Sequence, residues 1–308
     1  MMGVSLVERA CAKINLGLKV LHRRDDGYHE IRSIMQTVDL ADSLHFGETA
    51  PDGSPLSGSE LTCSDPDLST GADNLVLRAL ELFHAHLEQP SRPFRIHLEK
   101  QIPMGAGLGG GSADAAATLR GLNRLYGNPF PTERLRRMAA EIGSDIPFLI
   151  EGGTALAAGR GEILTPLDWR GRVFYVLVYP EVVVGTAWAY AQLRPDLTAP
   201  DIYLNFIASL SGGCVDLEAL IDVLENDFQP VVERAYPIVA NARAHIDQSG
   251  ARASSMSGSG STVYGIFDDR TIASQAHQEL QAQGYRSFLC HPASPGAQGA
   301  SGERGNIS

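Results

Sequence analysis

The chain has 308 residues, 44% of them hydrophobic, which is enough for two domains with buried cores. Its formal net charge of −11 at pH 7 argues against a nucleic-acid partner, because binding to phosphate backbones needs a broad basic surface. No segment approaches the roughly 18 consecutive apolar residues of a membrane-spanning helix, and the N-terminal residues lack a signal-peptide pattern, so we expect a cytoplasmic protein with no membrane partner.

The first half of the chain mixes strand and helix patterns. Alternating or continuous apolar runs predict strands over residues 5–11, 15–21, 31–40, 43–46, 94–98 and 154–158. Apolar residues at helical spacing predict helices over residues 73–86, 112–126 and 131–142. The Gly, Pro and Ser content of residues 51–59 predicts a hairpin tip.

From about residue 165 the pattern changes. It predicts strands over residues 173–179, 251–256, 262–267 and 286–291 and several helices, one of them over residues 271–283. This mixture predicts an α+β fold with an N-terminal domain over residues 1–164, a C-terminal domain over residues 165–291 and a disordered Gly/Ala/Ser-rich tail over residues 292–308. The four cysteines lack metal-ligand spacing, and we expect free thiols.

A glycine-rich segment joins the strand over residues 94–98 to the helix that follows. Residues 103–117 read Pro-Met-Gly-Ala-Gly-Leu-Gly-Gly-Gly-Ser-Ala-Asp-Ala-Ala-Ala. Glycine permits positive φ and lets backbone N–H groups converge on one anion, while the start of the helix adds the positive end of its dipole. The segment predicts a phosphate-binding loop, in which the Ser112 hydroxyl can reach a phosphate-bound Mg²⁺.

Other interpretations of this loop are weaker. The spacing Gly105-x-Gly107-x-x-Gly110 matches the dinucleotide fingerprint, but no second strand ending in Asp or Glu follows at the required distance. A Walker A loop is excluded, since no Gly-Lys-Ser/Thr follows the glycines. A plain glycine-rich connector stays open as the alternative.

Three segments in order resemble the motifs of the GHMP kinases, the family of galactokinase, homoserine kinase and mevalonate kinase. The first is Ala-Lys-Ile-Asn-Leu-Gly-Leu at residues 12–18, the second is the glycine loop, and the third is Ser-Met-Ser-Gly-Ser-Gly-Ser-Thr-Val-Tyr-Gly at residues 255–265. The resemblance implies a two-domain α+β fold, with an N-terminal domain like domain 2 of ribosomal protein S5 and a ferredoxin-like C-terminal domain.

The same resemblance implies that the protein uses ATP and Mg²⁺. It places ATP on the glycine loop, with two residues in the adenine pocket and the third motif closing over the phosphates. The residues so assigned are Asn74, Lys100, Pro103, Met104, Gly105, Ala106, Gly107, Leu108, Gly109, Gly110, Gly111, Ser112, Ala113, Gly258 and Gly260, with Ser112 also assigned to the metal.

Residues 143–148, Gly-Ser-Asp-Ile-Pro-Phe, have two interpretations. From the residues alone, Ser144 caps a short helix and Asp145 lies in its first turn, where the helix dipole stabilises a carboxylate. The match to the segment that carries the catalytic base in the family implies instead that Asp145 accepts the proton of the substrate hydroxyl. Lys13 of the first motif would then hold this carboxylate and the developing alkoxide.

The run Arg-Arg-Asp-Asp-Gly-Tyr-His-Glu-Ile at residues 23–31 resembles the members of the family whose substrate carries a cytidine diphosphate. In those members the cytosine stacks between two aromatic rings while a His segment binds its edge, the usual way in which single bases are recognised. Tyr28 and His29 match this pattern directly. Tyr190 is the expected second ring, with Trp188 as the alternative.

The resemblance further implies that Asn15 and Thr186 contact polar groups of the substrate. We therefore expect an ATP-dependent kinase for a small-molecule cytidine diphosphate substrate, acting as a monomer or weak homodimer. Two alternatives stay open: another GHMP kinase, acting on homoserine or a mevalonate, and a nucleotide-binding regulator that kept the fold but lost catalysis.

Overall fold

The computed structural model describes residues 4–50, 53–193 and 214–294, together with Tyr203, Phe206 and Gly296. Its strands are β1 Val4–Arg23, β2 His29–Gly47, β3 Glu60–Cys63, β4 Arg95–Glu99, β5 Thr154–Ala158, β6 Ile163–Trp169, β7 Phe174–Tyr179, β8 Cys214–Val215, β9 Ala253–Met256, β10 Val263–Phe267 and β11 Arg286–Cys290. The described helices are α1 Leu75–His86, α2 Gly110–Leu125, α3 Thr132–Ile142, α4 Ile146–Glu151, α5 Thr186–Gln192, α6 Leu217–Ile221, α7 Gln229–Ala235, α8 Pro237–Gln248 and α9 Arg270–Ala282.

Two long antiparallel strands dominate the N-terminal sheet. β1 and β2 pair along their whole length, from Val4 opposite Gly47 to Arg23 opposite His29. The sequence predicted four shorter strands here, because the pairing shifts register at several irregularities and each shift interrupts the alternation of apolar residues. The order of the sheet is β3-β4-β2-β5-β6-β8, with β1 paired to β2.

The C-terminal sheet is smaller and antiparallel, in the order β11-β7-β10-β9. Helices α8 and α9 contact this sheet. They bury apolar residues such as Ile246 and Leu280 against the sheet residues Val176 and Phe267 in a second core, separate from the core under the N-terminal sheet. The α+β class expected from the sequence is thus confirmed.

Two boundaries differ from expectation. The domain boundary expected at residue 165 falls inside β6, which pairs with β5 through five residues and belongs to the first sheet, so we propose a boundary after Trp169. The tail was expected from residue 292, but Pro292 bridges Val38 and the Ala293 N–H donates to the carbonyl of Thr37 at 2.8 Å, which adds both residues to the folded part. Most of the expected tail, residues 295 and 297–308, lies outside the described residues.

Three strands were not predicted: β3, β6 and the two-residue strand β8. β3 has only four residues, and β6 is mostly exposed and contains Pro166, so neither shows a clear apolar alternation. Their positions come from pairing with β4 and β5, which the local sequence does not reveal.

Candidate active site

A cavity of about 1000 Å³ is lined by residues from both halves of the chain, from Lys13 to Gly260. Most of the residues expected at the site line this one cavity: Lys13, Asn15, Tyr28, His29, Asn74, Lys100, Pro103, Met104, Gly105, Ala106, Gly107, Gly109, Gly110, Gly111, Ser112, Asp145, Thr186, Tyr190, Gly258 and Gly260. Leu108 and Ala113 do not line it, because their side chains are buried in the core behind the loop.

The three motifs are in direct contact. The Lys13 N–H donates to the carbonyl of Leu108 at 3.0 Å, which joins β1 to the glycine loop. The Ser257 hydroxyl donates to the carbonyl of Gly107 at 2.9 Å and accepts from the N–H of Asn15 at 3.2 Å. Segments separated by 242 residues in the chain therefore form one wall of the cavity.

The glycine loop has the free donors that a phosphate requires. Gly105, Gly107 and Gly109 adopt positive φ of 61°, 79° and 69°. Within the part of the chain that the structure describes, none of the backbone N–H groups from Gly107 to Ser112 donates to a protein acceptor. Gly109 is the N-cap of α2 and supplies no side-chain cap, so the positive end of this long helix stays open towards the cavity.

Lys13 and Asp145 form a pair inside the cavity. The Lys13 ammonium is buried, donates to Asn15 Oδ1 at 2.6 Å and lies 3.3 Å from Asp145 Oδ2. Helix α4 begins only at Ile146, so Asp145 occupies the N-cap position and its side chain makes no capping hydrogen bond. The Asp145 backbone is already helical, with φ −80° and ψ −21°, and its carbonyl accepts the Leu149 N–H at 3.3 Å, so its position at the start of the helix agrees with the expectation from the residues alone. Its carboxylate faces Lys13.

Asn15 holds Lys13 in place. Its amide N–H donates to Ser33 Oγ at 2.8 Å, and the Ser33 hydroxyl donates to the carbonyl of Gly17 at 2.6 Å. These bonds direct the amide oxygen of Asn15 towards the ammonium. The sequence assigned Asn15 to the substrate, and it does line the cavity, but the structure adds the positioning of Lys13.

Lys100 lies in a buried charge cluster, beside two carboxylates that the sequence analysis did not single out. Its ammonium donates to Asp42 Oδ2 at 2.5 Å and to Asp114 Oδ2 at 2.9 Å. Asp42 also accepts the N–H groups of Gln101 and Ile102, at 2.5 and 2.9 Å. The cluster ties β2, the segment before the glycine loop and α2 together, so Lys100 supports the loop as well as lining the cavity. In the sequence, the available sign of this charge cluster was a single Asp in the alanine-rich start of α2.

The charge cluster shifts the pKa of two of its members. Burial raises the pKa of Asp114 to about 8; the Lys100 charge opposes this rise and the Asp42 charge adds to it. Burial alone would lower the pKa of Lys100, but the two carboxylates outweigh it and raise this pKa. Among the described residues, Asp114 Oδ1 is buried without a hydrogen-bond partner, which fits a carboxyl that keeps its proton.

Asp114→Asn is expected to weaken the pH dependence of stability. A carboxyl whose pKa is raised in the folded state contributes its full stabilisation of the fold at pH values below its ordinary pKa of 3.8. This contribution is lost as the pH rises towards 8. The free energy of unfolding can be measured with urea, without nucleotide, at about pH 6 and about pH 8. Between these two pH values it should fall by on the order of 1 kcal/mol more in the wild type than in the variant. Asp67→Asn, at an exposed position, is the control and should follow the wild type. Equal losses in wild type and Asp114→Asn would contradict the prediction.

The aromatic residues differ in part from the expected sandwich. The ring of His29 stacks on Tyr190, with centroids 4.8 Å apart and an interplanar angle of 18°. Tyr28 is 54% exposed, and the Arg160 guanidinium lies 4.8 Å from the centre of its ring. Trp188 does not line the cavity and meets Tyr236 edge-on. Of the two alternatives, Tyr190 faces the cavity, but a base can stack on the face covered by His29 only if that ring swings aside.

The protonation states in this region suit recognition of a neutral base. Burial raises the pKa of Tyr190 to about 12, and the Asp145 charge adds to this rise. Burial and the nearby Arg23 charge lower the pKa of His29. Near pH 7 both rings are therefore neutral, and a neutral imidazole offers one donor and one acceptor to the edge of a base.

Two further residues have structural partners in addition to their places in the cavity wall. Asn74 is the N-cap of α1: its Oδ1 accepts the Val76 N–H at 2.9 Å, and its amide N–H donates to the carbonyl of Ser69 at 2.6 Å. The Thr186 hydroxyl lies 3.1 Å from Ser259 Oγ in the third motif.

Metal ligands are few in the described part of the chain, where no group of three or more His, Cys, Asp or Glu side chains is placed to hold a metal ion. The Ser112 hydroxyl fits a magnesium ion held mainly through phosphate oxygens, and the adjacent free N–H groups would bind those phosphates. The four cysteines are unpaired, as expected. No described helix is both long and apolar enough to span a membrane.

The sequence matches two family models, "GHMP kinases N terminal domain" over residues 74–153 and "GHMP kinases C terminal" over residues 211–286. A 4-diphosphocytidyl-2-C-methyl-D-erythritol kinase from Salinibacter ruber is 40% identical over 291 residues, which cover 92% of this chain and 98% of the relative. An enzyme of the same name from Synechococcus sp. (strain JA-2-3B'a(2-13)) is 42% identical over 294 residues, covering 92% and 91%.

Solved structures agree with these matches. A crystal structure of 4-(cytidine 5'-diphospho)-2C-methyl-D-erythritol kinase superposes with a TM-score of 0.76 at 34% identity, covering 94% of this chain and all of that chain. A homoserine kinase from Cytophaga hutchinsonii superposes with a TM-score of 0.73 at 19% identity, covering 96% of both chains, which shows a shared fold alone.

Proposed function

The chain belongs to the GHMP kinase family, among the 4-diphosphocytidyl-2-C-methyl-D-erythritol kinases, and we propose that it phosphorylates the 2-hydroxyl of 4-diphosphocytidyl-2-C-methyl-D-erythritol. The products are the 2-phosphate and ADP, and the reaction belongs to the non-mevalonate pathway to isoprenoid precursors. The observation that carries the proposal is the Lys13–Asp145 pair, 3.3 Å apart in the same cavity as the free N–H groups of the glycine loop.

The chemistry assigned to this pair follows from phosphoryl transfer. Such reactions depend mostly on positioning and charge stabilisation, with an Asp that accepts the proton of the attacking hydroxyl. We assign this role to the Asp145 carboxylate. The Lys13 ammonium keeps the carboxylate in position and stabilises the negative charge that develops on the substrate oxygen, while Asn15 fixes the ammonium.

The nucleotide is assigned to the other side of the cavity. The N–H groups from Gly107 to Ser112 would bind the phosphates of ATP, and the residues around Asn74 would enclose the adenine. A magnesium ion held by the phosphates and the Ser112 hydroxyl would neutralise charge on the transferred group.

Three finer assignments belong to the same proposal. A monomer or weak homodimer is the proposed active form. The cytidine diphosphate compound is the proposed small-molecule partner. The cytoplasm, which supplies ATP, is the proposed compartment.

Two alternatives are less well supported. A regulator without catalysis has no use for a buried lysine held against an aspartate, whereas this chain keeps both residues and the amide that orients the lysine. A homoserine or mevalonate kinase has no use for a base-binding wall, whereas Tyr28, His29 and Tyr190 line this cavity.

The direct test measures ADP release by the purified protein with ATP and Mg²⁺. We expect release with 4-diphosphocytidyl-2-C-methyl-D-erythritol and none above background with homoserine or mevalonate. Release with one of the latter substrates would identify another member of the family. Tight ATP binding without turnover of any of the three would favour the regulator.

Tyr28→Ala and His29→Ala are expected to raise KM for the cytidyl substrate while KM for ATP changes little. Loss of one base stack costs roughly 1–3 kcal/mol, which corresponds to about a 5- to 150-fold rise in KM. Trp188→Ala is the matched control, since this aromatic residue lies nearby but outside the cavity, and its KM values should equal those of the wild type. Equal losses for both substrates would indicate misfolding, and unchanged KM values would place the cytosine elsewhere.

A further inference from the structure

Arg160 is a cation of the cavity whose guanidinium forms only a long ion pair, to Glu162, and no hydrogen bond to a carboxylate among the described residues. Of the lysines and arginines that line the cavity, Lys13 faces Asp145, and Lys100 is bonded to two carboxylates. The Nε atom of Arg160 lies 3.8 Å from Glu162 Oε1, beyond hydrogen-bond distance. Within the described part of the chain its guanidinium donates no hydrogen bond, so its donors are available to a ligand.

The turn that carries Arg160 is well anchored. Gly159 and Gly161 adopt positive φ of 70° and 118°, so the chain reverses tightly on both sides of the arginine. The Gly159 N–H donates to Glu30 Oε1 at 3.1 Å, and the Gly159 carbonyl accepts from Ile31 at 2.8 Å. These bonds hold the turn against the start of β2 and place the guanidinium over the ring of Tyr28.

The same turn borders the catalytic pair. A Cβ atom on Gly161 would lie 3.8 Å from the Cβ of Ser144, the residue that precedes Asp145. Arg160 therefore stands between Tyr28, at the end of the cavity assigned to cytosine, and the segment that carries the proposed base. In the proposed substrate the diphosphate lies between the cytidine and the reacting polyol, in the same order.

Charge balance also calls for a cation at this place. Of the lysines and arginines of the cavity wall, Lys13 pairs with Asp145 and Lys100 pairs with Asp42, whereas the Arg160 guanidinium makes no hydrogen bond to a carboxylate among the described residues. A diphosphate linking two alcohols adds two negative charges. A guanidinium binds phosphate oxygens through two parallel N–H bonds, which makes it the suitable side chain for this group.

We propose that the Arg160 guanidinium binds the diphosphate of the cytidyl substrate while it packs on Tyr28. This makes Arg160 a substrate-binding residue that selects a cytidine diphosphate over the bare nucleoside. The inference rests on the proposed function, since it assumes a cytidyl ligand at Tyr28.

The test compares the binding of CDP and cytidine by calorimetry. Arg160→Gln should weaken CDP binding about 10- to 100-fold, the range for a lost hydrogen-bonded charge contact, and should change the affinity for cytidine less than about twofold. Arg160→Lys, which keeps the charge but not the planar fork, should be intermediate for CDP. The control Arg172→Gln removes one charge from an exposed position outside the cavity and should bind both ligands like the wild type. Unchanged binding of an ATP analogue verifies that each variant is folded.

Two results would overturn the inference alone. If Arg160→Gln binds CDP as tightly as the wild type, the diphosphate lies elsewhere. If CDP and cytidine lose affinity equally, Arg160 acts only by packing on Tyr28. A wild type that binds neither CDP nor cytidine would contradict the proposed function, and this inference with it.

Discussion

Asp145→Asn is expected to fold, to bind ATP and the cytidyl substrate, and to lose roughly 10²–10⁴-fold in kcat. The amide keeps the size of the carboxylate but cannot take up the proton of the substrate hydroxyl. It also leaves the Lys13 ammonium, 3.3 Å away, without its anionic partner. Steady-state kinetics with both substrates varied, together with a binding titration of an ATP analogue, separate the loss of turnover from a loss of affinity.

Asp73→Asn is the control for Asp145→Asn. Asp73 lines the same cavity, but its carboxylate accepts from the Ser69 hydroxyl at 2.7 Å, on the side assigned to adenine. Removing this charge should leave kcat within a few-fold of the wild type. An Asp145→Asn enzyme within about threefold of wild-type kcat would exclude Asp145 as the base.

Lys13→Met should show a similar loss of kcat. The double variant of Lys13 and Asp145 should lose far less than the product of the two single effects, because the residues act as one unit. Independent, multiplying effects would mean that the contact between the two side chains has no role in turnover.

Gly107→Ala is expected to weaken ATP binding by about 100-fold or more. At φ +79°, a Cβ atom on this residue would lie 2.3 Å from the carbonyl oxygen of Ser257 and 2.9 Å from that of Gly260. Both neighbours are backbone atoms, so the glycine loop and the third motif would have to separate, in addition to about 1–3 kcal/mol of backbone strain. Calorimetric titration with an ATP analogue measures the loss.

Gly127→Ala is the control that separates the effect of backbone strain from the effect of the steric clash. Gly127 has nearly the same φ of +78°, but a Cβ atom there meets nothing within 4 Å. This control should lower the free energy of unfolding by about 1 kcal/mol and leave ATP affinity unchanged. If Gly107→Ala does not fold, Gly109→Ala supplies the same test more mildly, since its Cβ would meet the flexible Lys13 side chain at 3.0 Å. Wild-type ATP affinity in a folded Gly107→Ala would show that contact between the two loops is not needed for nucleotide binding.

Much of the fold could be predicted wherever local pattern and local structure coincide. The strand at residues 154–158 has the predicted bounds because its small and apolar residues are bounded by glycines. Helices α2 and α3 lie within about two residues of prediction, because their apolar faces repeat at helical spacing. The prediction failed where pairing overrides pattern, as in β1 and β2, which continue through their register shifts, and in the exposed strand β6.

The same distinction between local pattern and tertiary pairing applies to the residues of the site. Lys13, the glycine loop and Asp145 could be proposed as site residues from the sequence, because phosphate binding and proton transfer need particular residue types in short, fixed segments. The stack of His29 on Tyr190 could not, since it depends on how β2 meets α5 in space. The same is true of Arg160, which belongs to a short turn whose place in the cavity is set by its bonds to Glu30 and Ile31.

The sequence by itself determined the chemistry of the protein: a loop whose glycines permit positive φ, a lysine, an aspartate and an aromatic pair suited to a base. Only the tertiary structure decided which of these groups meet. The Ser257 hydroxyl bonds to Gly107 across 150 residues, and Asp42, Lys100 and Asp114 converge from three separate elements into one buried cluster. Such contacts cannot be predicted from the periodicity of one sequence. Burial and the distance between charges depend on the packed fold and not on neighbouring residues in the chain.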